Sequence, residues 1–480
     1  MALEPSGIVA DGTAEQWRDK KRYLWLLGLV APAIGILAIG GFLLTGAGVL
    51  LWAGPVVVLG VIPVIDLLTG LDGSNPPDEV IEALENDRYY RWVTFAYLPV
   101  QYAGFVYAMY LIATRDWSAA DKIGLAVTMG FVGGIGINTA HELGHKKERS
   151  ERWLAKIALA QCFYGHFYVE HNRGHHVRVA TPEDPASSRM GESFYRFWPR
   201  TVYGSLVSAW GKEAARYGRK GRHPFRAGNN VLNAWAMSAV LWAALALWLG
   251  AAVLPFLVLQ AVVAFSLLEA VNYLEHYGML RQLVTSGGRQ RYERVLPSHS
   301  WNSNNLATNL LLYHLQRHSD HHANPTRRYQ VLRDYAESPA LPTGYAGMIV
   351  LALVPPLWRR VMDPRVAAHF DGDIRLANVQ PGHRERLLRQ FPPVPGQPSD
   401  GTREDLARRD FGDDVAAARC PGCGYTYEVD AGNESEGFAA GTAWKDIPDD
   451  WCCPDCGVRE KVDFVPLSYE SLSSAARKAS

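Results

Sequence analysis

Four stretches of this chain carry no charged side chain at all: residues 23–65, 92–114, 123–140 and 227–268. No other feature limits the fold as much. About 20 apolar residues cross a bilayer core as one helix, and charge-free runs above forty residues are too long for the buried core helices of a soluble protein. The two longest runs therefore read as helical hairpins, turning near Gly46–Gly48 and near Gly250. The expected spans are 23–45, 48–68, 92–114, 121–142, 230–250 and 253–275. The first is too long for the h-region of a cleaved signal peptide and runs straight into the second. Arg18, Lys20, Lys21 and Arg22 precede it, which by the positive-inside rule puts the N-terminus in the cytoplasm. "HKKERSER" after the fourth span and the basic tail after the sixth then fall on the same side. Lys+Arg and Asp+Glu both total 48, so the net charge offers nothing to a nucleic acid, and none is expected as a partner.

Residues 1–371 thus form an integral-membrane domain, with a helical, His-rich cytoplasmic part built from 141–230 and 276–345. "GMIVLALVPPLW" (347–358) is too short to span and reads as interfacial or re-entrant. Residues 372–414, charged and containing "FPPVPGQPSDG", are expected to be a flexible linker with a reach of about 35–40 Å as a random coil. Residues 415–470 form a small second domain and 471–480 a tail.

Five of the six cysteines lie within 420–456, a spacing that favours metal binding over disulfides in a cytoplasmic segment. "CPGCGYTY" and "DWCCPDCG" supply two Cys-x-x-Cys pairs, Cys420/Cys423 and Cys453/Cys456. Glycine follows each second cysteine, as a tight metal knuckle requires. Four thiolates suit zinc or a single iron, and spacing alone does not choose. Tyr425, Tyr427, Trp444 and Trp451 can form the apolar shell that tunes an iron centre. The whole segment resembles rubredoxin, which implies one iron held by Cys420, Cys423, Cys453 and Cys456. Cys452 falls where that family is variable and is read as a bystander thiol.

Histidine is concentrated too. "HELGH" gives His141 and His145; "EHNRGHH" gives His171, His175 and His176; "NYLEHYG" gives His276; "LQRHSDHH" gives His318, His321 and His322. Residues at i and i+4 share a helix face, so His141/His145, His171/His175 and His318/His322 each read as a clamp, with His176 and His321 beside them. "HELGH" alone would suggest a zinc protease, but nine imidazoles exceed the demand of one hydrolytic zinc and suit two metals. Imidazole fits iron as well as zinc. A ligating imidazole usually donates its other N–H to a carboxylate. Glu142, Glu170, Glu275, Asp320 and Asp184 are available, with Glu275 and Asp184 preferred. His166 and His314 are left outside the ligand set.

"NTAHELGHK", "EHNRGHHVRVATPEDPASSR", "NYLEHYG" and "LQRHSDHH" together resemble the integral-membrane non-haem diiron alkane monooxygenases, across roughly residues 20–345 and including the six-span layout. The resemblance implies two irons on His141, His145, His171, His175, His176, His276, His318, His321 and His322. It implies terminal hydroxylation of n-alkanes with O2, with electrons from rubredoxin, here fused to the same chain. An NAD(P)H-dependent flavoprotein rubredoxin reductase is expected as a separate partner, since the sequence has no Gly-x-Gly-x-x-Gly fingerprint. The expected location is a bacterial inner membrane, with the metal sites on the cytoplasmic side. An apolar slot lined by helices one to six should lead to the irons, with Trp52 an interfacial anchor rather than its gauge. Asp320 and Arg317 are expected to tune the site or dock the tail. The rivals are a fatty acyl desaturase or alkyl-aromatic hydroxylase on the same scaffold, and a zinc-binding membrane transporter or sensor. The expected fold class is an all-α membrane protein followed by a small rubredoxin-like domain.

Overall fold

In the structure, a computed structural model, residues 17–286, 289–393, 403–404 and 415–468 are described. Among the described residues six helices are long and apolar enough to cross a membrane: Leu24–Thr45, Gly48–Thr69, Arg88–Thr114, Ala119–Gly144, Asn230–Leu249 and Ala251–Glu275. The hairpins turn at Gly46 (φ 72°) and Gly250 (φ 88°). Side chains cap three of the starts: Asp87 accepts from Tyr89 N, Ser118 from Asp121 N, and Asn229 from Val231 N and Leu232 N.

The fourth span is the axis of the bundle. Its apolar window is 89% buried, against 22–50% for the other five. Small residues let neighbours approach it closely. A methyl group on Gly130 would stand 2.5 Å from Val263 Cβ, and one on Gly134 2.9 Å from the Ala264 carbonyl, both on the sixth span. These two spans end side by side, so His141 and His145 on one are delivered next to Glu275 and His276 on the other.

Around that end lie several short helices and one of 25 residues, Phe194–Gly218. The short ones include Arg149–Ala160, Phe167–Glu170, Leu306–Leu311, His318–Ala323, Tyr345–Ala352 and Pro355–His369. The His-rich part outside the spans is not purely helical. Leu283–Ser286 pairs antiparallel with Arg289–Tyr292, and Arg403–Glu404 lies parallel to the first of these strands. The sequence "LVTSGGRQRY" carries the signal for it, a β-branched run followed by Gly-Gly.

The linker expected over 372–414 begins too early. Residues Ile374–Leu376 and Pro381–His383 are 3-10 turns, and Arg384–Gln390 is helical. Ile374 and Leu387 are fully buried, and Val379 bridges to Met190. A few apolar anchors among many charges are enough to bind this segment to the membrane domain. Apart from 403–404, residues 394–414 of the expected linker and the 471–480 tail lie outside the described residues. Residues 415–468 form a small unit with a three-stranded sheet, in which Ala417–Arg419 lies between Thr426–Glu428 and Val465–Leu467. Its core is aromatic: Tyr427, Phe438, Trp444, Trp451 and Phe464.

Candidate metal centres

All nine clustered histidines are buried at the end of the bundle, and they separate into two groups. His141, His145, His171, His176 and His321 form one; His175, His276, His318 and His322 form the other. Within the first, Nε2 atoms stand 2.8 Å (His141–His321), 3.0 Å (His171–His176) and 3.1 Å (His176–His321) apart. Within the second they stand 2.8 Å (His318–His322) and 3.2 Å (His276–His318) apart. The groups abut, with the rings of His176 and His322 4.3 Å apart.

The division overturns one expected clamp. His141/His145 and His318/His322 each stay within one group, as i, i+4 spacing requires. His171 and His175 do not. Residues His171–His175 form a π-turn, and i→i+5 bonding brings i and i+5 together in place of i and i+4. His171 therefore meets His176, while His175 is turned toward the second group.

The donor set fits metal ions. Burial first, then the charges of neighbouring imidazoles, lowers the pKa of His145, His171, His176, His276, His318, His321 and His322 well below the ordinary value. The imidazoles are held neutral with their Nε2 atoms facing one another. The Nε2 atoms of His145 and His175 have no hydrogen-bond partner. Converging, buried, unprotonated nitrogens without partners are what a metal requires and what a polar core does not tolerate.

The carboxylates divide as well. Asp184 Oδ2 is 2.8 Å from His175 Nδ1 and accepts from Ser187 Oγ at 2.6 Å. Burial alone would raise its carboxyl, but His175 and Ser187 hold it well below the usual range. Glu275 is placed differently from the expectation. Its Oε2 is 3.2 Å from His318 Nε2, the nitrogen that faces the other imidazoles, and not from an outward Nδ1. The other three carboxylates serve structure. Glu142 pairs with Lys146 at 2.8 Å, Glu170 with Arg178 at 3.0 Å, and Asp320 with Arg327 at 2.9 Å. Asp320 also accepts from Arg333 N, and the buried Arg317 donates to the carbonyls of Leu332, Asp72 and Ser74. Both fasten loops, and among the described residues neither bonds to the C-terminal unit. His314 bonds the Tyr329 carbonyl, and His166 stands outside both groups with neither ring nitrogen bonded.

An apolar cavity of about 300 Å³ ends at this cage. His141, His171, Glu275 and His318 close one end. Ile34, Val57, Val58 and Leu267 lie deeper in the bundle, about 12 Å away along the sixth span at 1.5 Å rise per residue. Val57 and Val58 begin a π-helical stretch of the second span. Spans three and five contribute no lining; residues 307–315 and 345–349 take their place. Trp52 lies outside the cavity, against Gly124 of the fourth span.

In the unit formed by residues 415–468, called the tail from here on, Cys420 and Cys456 sulfurs are 3.8 Å apart and those of Cys423 and Cys453 3.5 Å. The four form a third donor group, from which Cys452 is excluded. The knuckle glycines Gly424 (φ 75°) and Gly457 (φ 70°) have the backbone that their position demands. The tail sits on the histidine end of the same chain. Glu436 pairs with Arg173 at 2.9 Å and Arg219 at 3.3 Å, and Arg152 with Asp455 at 3.2 Å. Arg294 pairs with Asp463 at 2.6 Å, and Lys147 Nζ donates to the Cys423 carbonyl at 2.6 Å. Gly457 lies against the Asn172 carbonyl, and its Cα faces His176 so closely that a methyl there would be 3.8 Å from His176 Cβ. These basic partners could not be paired from sequence, because they are scattered over 147–294.

Comparison with known proteins agrees with this architecture. Residues 122–352 match the fatty acid desaturase family and 417–464 match rubredoxin. Alkane 1-monooxygenase of Acinetobacter baylyi is 48% identical over 376 residues, covering 78% of this chain and 91% of the relative. Alkane 1-monooxygenase 1 of Alcanivorax borkumensis is 45% identical, covering 80% and 94%. The hydroxylase component of a Pseudomonas putida xylene/toluene monooxygenase is 28% identical, covering 55% and 69%.

Proposed function

Since this chain belongs to the alkane 1-monooxygenase family, we propose that it inserts one atom of O2 into the terminal C–H bond of n-alkanes, with electrons delivered by its own rubredoxin domain. The reaction is R–CH3 + O2 + 2e⁻ + 2H⁺ → R–CH2OH + H2O. The observation that carries the reading is the apolar cavity whose closed end is the histidine cage.

The nine histidines hold two irons, His141, His145, His171, His176 and His321 the one, His175, His276, His318 and His322 the other. Cys420, Cys423, Cys453 and Cys456 hold the third. Bound there, iron supplies the redox activation of O2 that zinc, having no redox chemistry, does not. The chain's own residues do the rest. Ile34, Val57, Val58 and Leu267 draw an alkyl chain in from the bilayer and exclude water. The cavity ends on His141, His318 and Glu275, so an alkyl chain lying along it presents its terminal methyl there. Asp184 fixes the tautomer of His175 by accepting from Nδ1, so that Nε2 keeps its lone pair for metal. Gly457, without a side chain, lets the second cysteine knuckle close on Asn172 and His176.

The tail carries one electron at a time, so two deliveries complete a turnover. A separate NAD(P)H-dependent flavoprotein reductase refills it. The basic N-terminal cluster and "HKKERSER" support a cytoplasmic location for cage and tail, at a bacterial inner membrane. Gas chromatography of products from octane, alkylbenzenes and acyl lipids tests the reaction: 1-octanol is expected, and alkenes alone would overturn it. Metal analysis should give three irons per chain; colourless, zinc-filled protein would support the transporter or sensor instead.

A further inference from the structure

We infer that Glu275 is a ligand to the iron of the four-histidine group, giving that iron four imidazoles and one carboxylate where its neighbour has five imidazoles. The inference rests on the diiron reading above and deepens it.

The argument begins with the side of His318 that Glu275 occupies. A carboxylate supporting a metal-bound imidazole accepts from the nitrogen that points away from the metal, as Asp184 does from His175. Glu275 Oε2 is instead 3.2 Å from His318 Nε2. That same nitrogen is 2.8 Å from His322 Nε2 and 3.2 Å from His276 Nε2. One proton on His318 cannot satisfy three acceptors, whereas one cation among them satisfies all four groups. His318 Nδ1, the atom that a supporting carboxylate would take, is buried and without a partner.

The second observation is charge. Glu275 is 1% exposed, and its Oε1 has no hydrogen-bond partner. Among the described residues no lysine or arginine pairs with it; outside the cage the phenol of Tyr345 lies beside it. An isolated carboxylate in such a site is strongly unfavourable unless a cation is there. Its backbone is held as well, because Trp301 N donates to the Glu275 carbonyl at 2.8 Å. The side chain is therefore aimed by the end of the sixth span rather than swept in by chance.

The third is count. The four histidine nitrogens of this group converge without Glu275, whose contact is with His318; drawn onto a bound cation, its carboxylate would make a fifth donor, equal to the five of the other group. The carboxylate also lines the alkane cavity, beside His318 of its own group and His141 and His171 of the other. The two irons would thus differ in ligand charge by one unit.

The test uses the full-length protein in nanodiscs, loaded with ⁵⁷Fe and reduced, with the thiolate iron of the tail as internal standard. Mössbauer spectra of the unmodified protein should resolve two histidine-site ferrous signals. In Glu275→Gln one of these should shift, or iron content should fall from three per chain to about two, while the other histidine-site signal and the tail signal stay unchanged. Three irons with both histidine-site signals unchanged would overturn the assignment. Tyr345→Phe should leave both signals in place; if it reproduces the Glu275→Gln spectrum, Glu275 acts only through Tyr345 and the assignment fails. Should Glu275→Gln not accumulate, infrared difference spectra of the unmodified protein with and without iron decide. A carboxylate band that moves on glutamate isotope labelling is expected, and its absence overturns the inference. If the unmodified protein binds no iron at the histidines, the diiron reading itself fails, a result distinct from failure of Glu275 alone.

Discussion

Replacing Glu436 by glutamine should loosen the tail from the cage without touching either metal site. Glu436 sits on the tail's docking face, 4% exposed, with Arg173 on one carboxylate oxygen and Arg219 on the other. Burial alone would raise its carboxyl, yet Arg173, Arg219 and Arg216 together hold it below its usual value. Removing one partner of a fully buried pair costs about 3–5 kcal/mol. Here the arginine side chains remain about a third exposed, at 33% and 32%, and regain water when the charge is lost. A loss of about 2 kcal/mol is therefore reasonable, which is roughly a thirtyfold drop in the ratio of docked to free tail. The tether keeps the free tail at about millimolar effective concentration, so docking at low salt survives part of this loss. Salt removes the reserve, since screening acts over about 8 Å at physiological ionic strength. The assay is stopped-flow oxidation of a pre-reduced tail, followed by the visible absorption of its ferric thiolate centre, across a salt series. The salt concentration that halves the rate should be clearly lower for Glu436→Gln. Arg173→Gln combined with it should add little, because both remove the same pair. Superposable salt curves for the variant and the unmodified protein would refute the argument.

Three further outcomes are expected. Gly424→Ala and Gly457→Ala each force alanine into left-handed backbone, costing about 1–2 kcal/mol, but only the Gly457 methyl would overlap Asn172, whereas the Gly424 methyl would be 3.6 Å from Arg419. Electron delivery measured as above should therefore fall more in Gly457→Ala, and equal loss in both would show that the docked pose is not the productive one. Val58→Phe shortens the deep end of the cavity, so the ratio of products from a series of n-alkanes should move toward shorter chains; an unchanged ratio would place the substrate elsewhere. In metal-stripped protein the caged histidines have pKa values below those of the unfolded chain, so the unfolded state binds more protons as pH falls under about 6.5. Stability is then present above that pH and lost below it. The melting temperature should drop from pH 6.5 to 5.5, since even one such histidine removes about 1 kcal/mol of stability over that interval, and a flat profile would argue against a neutral cage.

The spans, the nine histidines and the four cysteines are legible in the sequence because each depends on local spacing. Absence of charge over twenty residues, i, i+4 pairs and Cys-x-x-Cys knuckles all arise within one element. The division of the histidines is not legible in that way. It turns on a π-turn at His171–His175, and "HNRGH" has no mark that distinguishes it from an α-helical turn. Of the carboxylates, Asp184 takes the supporting place expected of it, on His175 Nδ1, and Glu275 does not. Glu142, Glu170 and Asp320 stand as close to histidines in sequence as Glu275 does, and only the fold sends them to Lys146, Arg178 and Arg327. The early linker boundary was an error of averaging, since Ile374, Val379 and Leu387 are diluted by the charges around them.

The orientation of the tail bears on how one carrier can deliver twice in each turnover. The two knuckles are not equivalent once docked. Gly457 of the second is buried against Asn172 and His176, whereas Pro421, Gly422 and Gly424 of the first remain exposed. Lys147 reaches the Cys423 carbonyl from the side without covering them. An electron donor that approached the first knuckle would find it open while the second stayed seated on the cage. The ion pairs of Glu436, Asp455 and Asp463 then need not break between the first electron and the second. Fusion gains most under that arrangement, because the half-reduced cage waits for a reduction step alone and not for a new encounter. A free carrier would have to leave, be reduced and return, and each return would be slowed by salt. In the tethered chain salt should weaken the docked state itself, and so the salt dependence of steady-state turnover should follow the Glu436 contact rather than the concentration of protein.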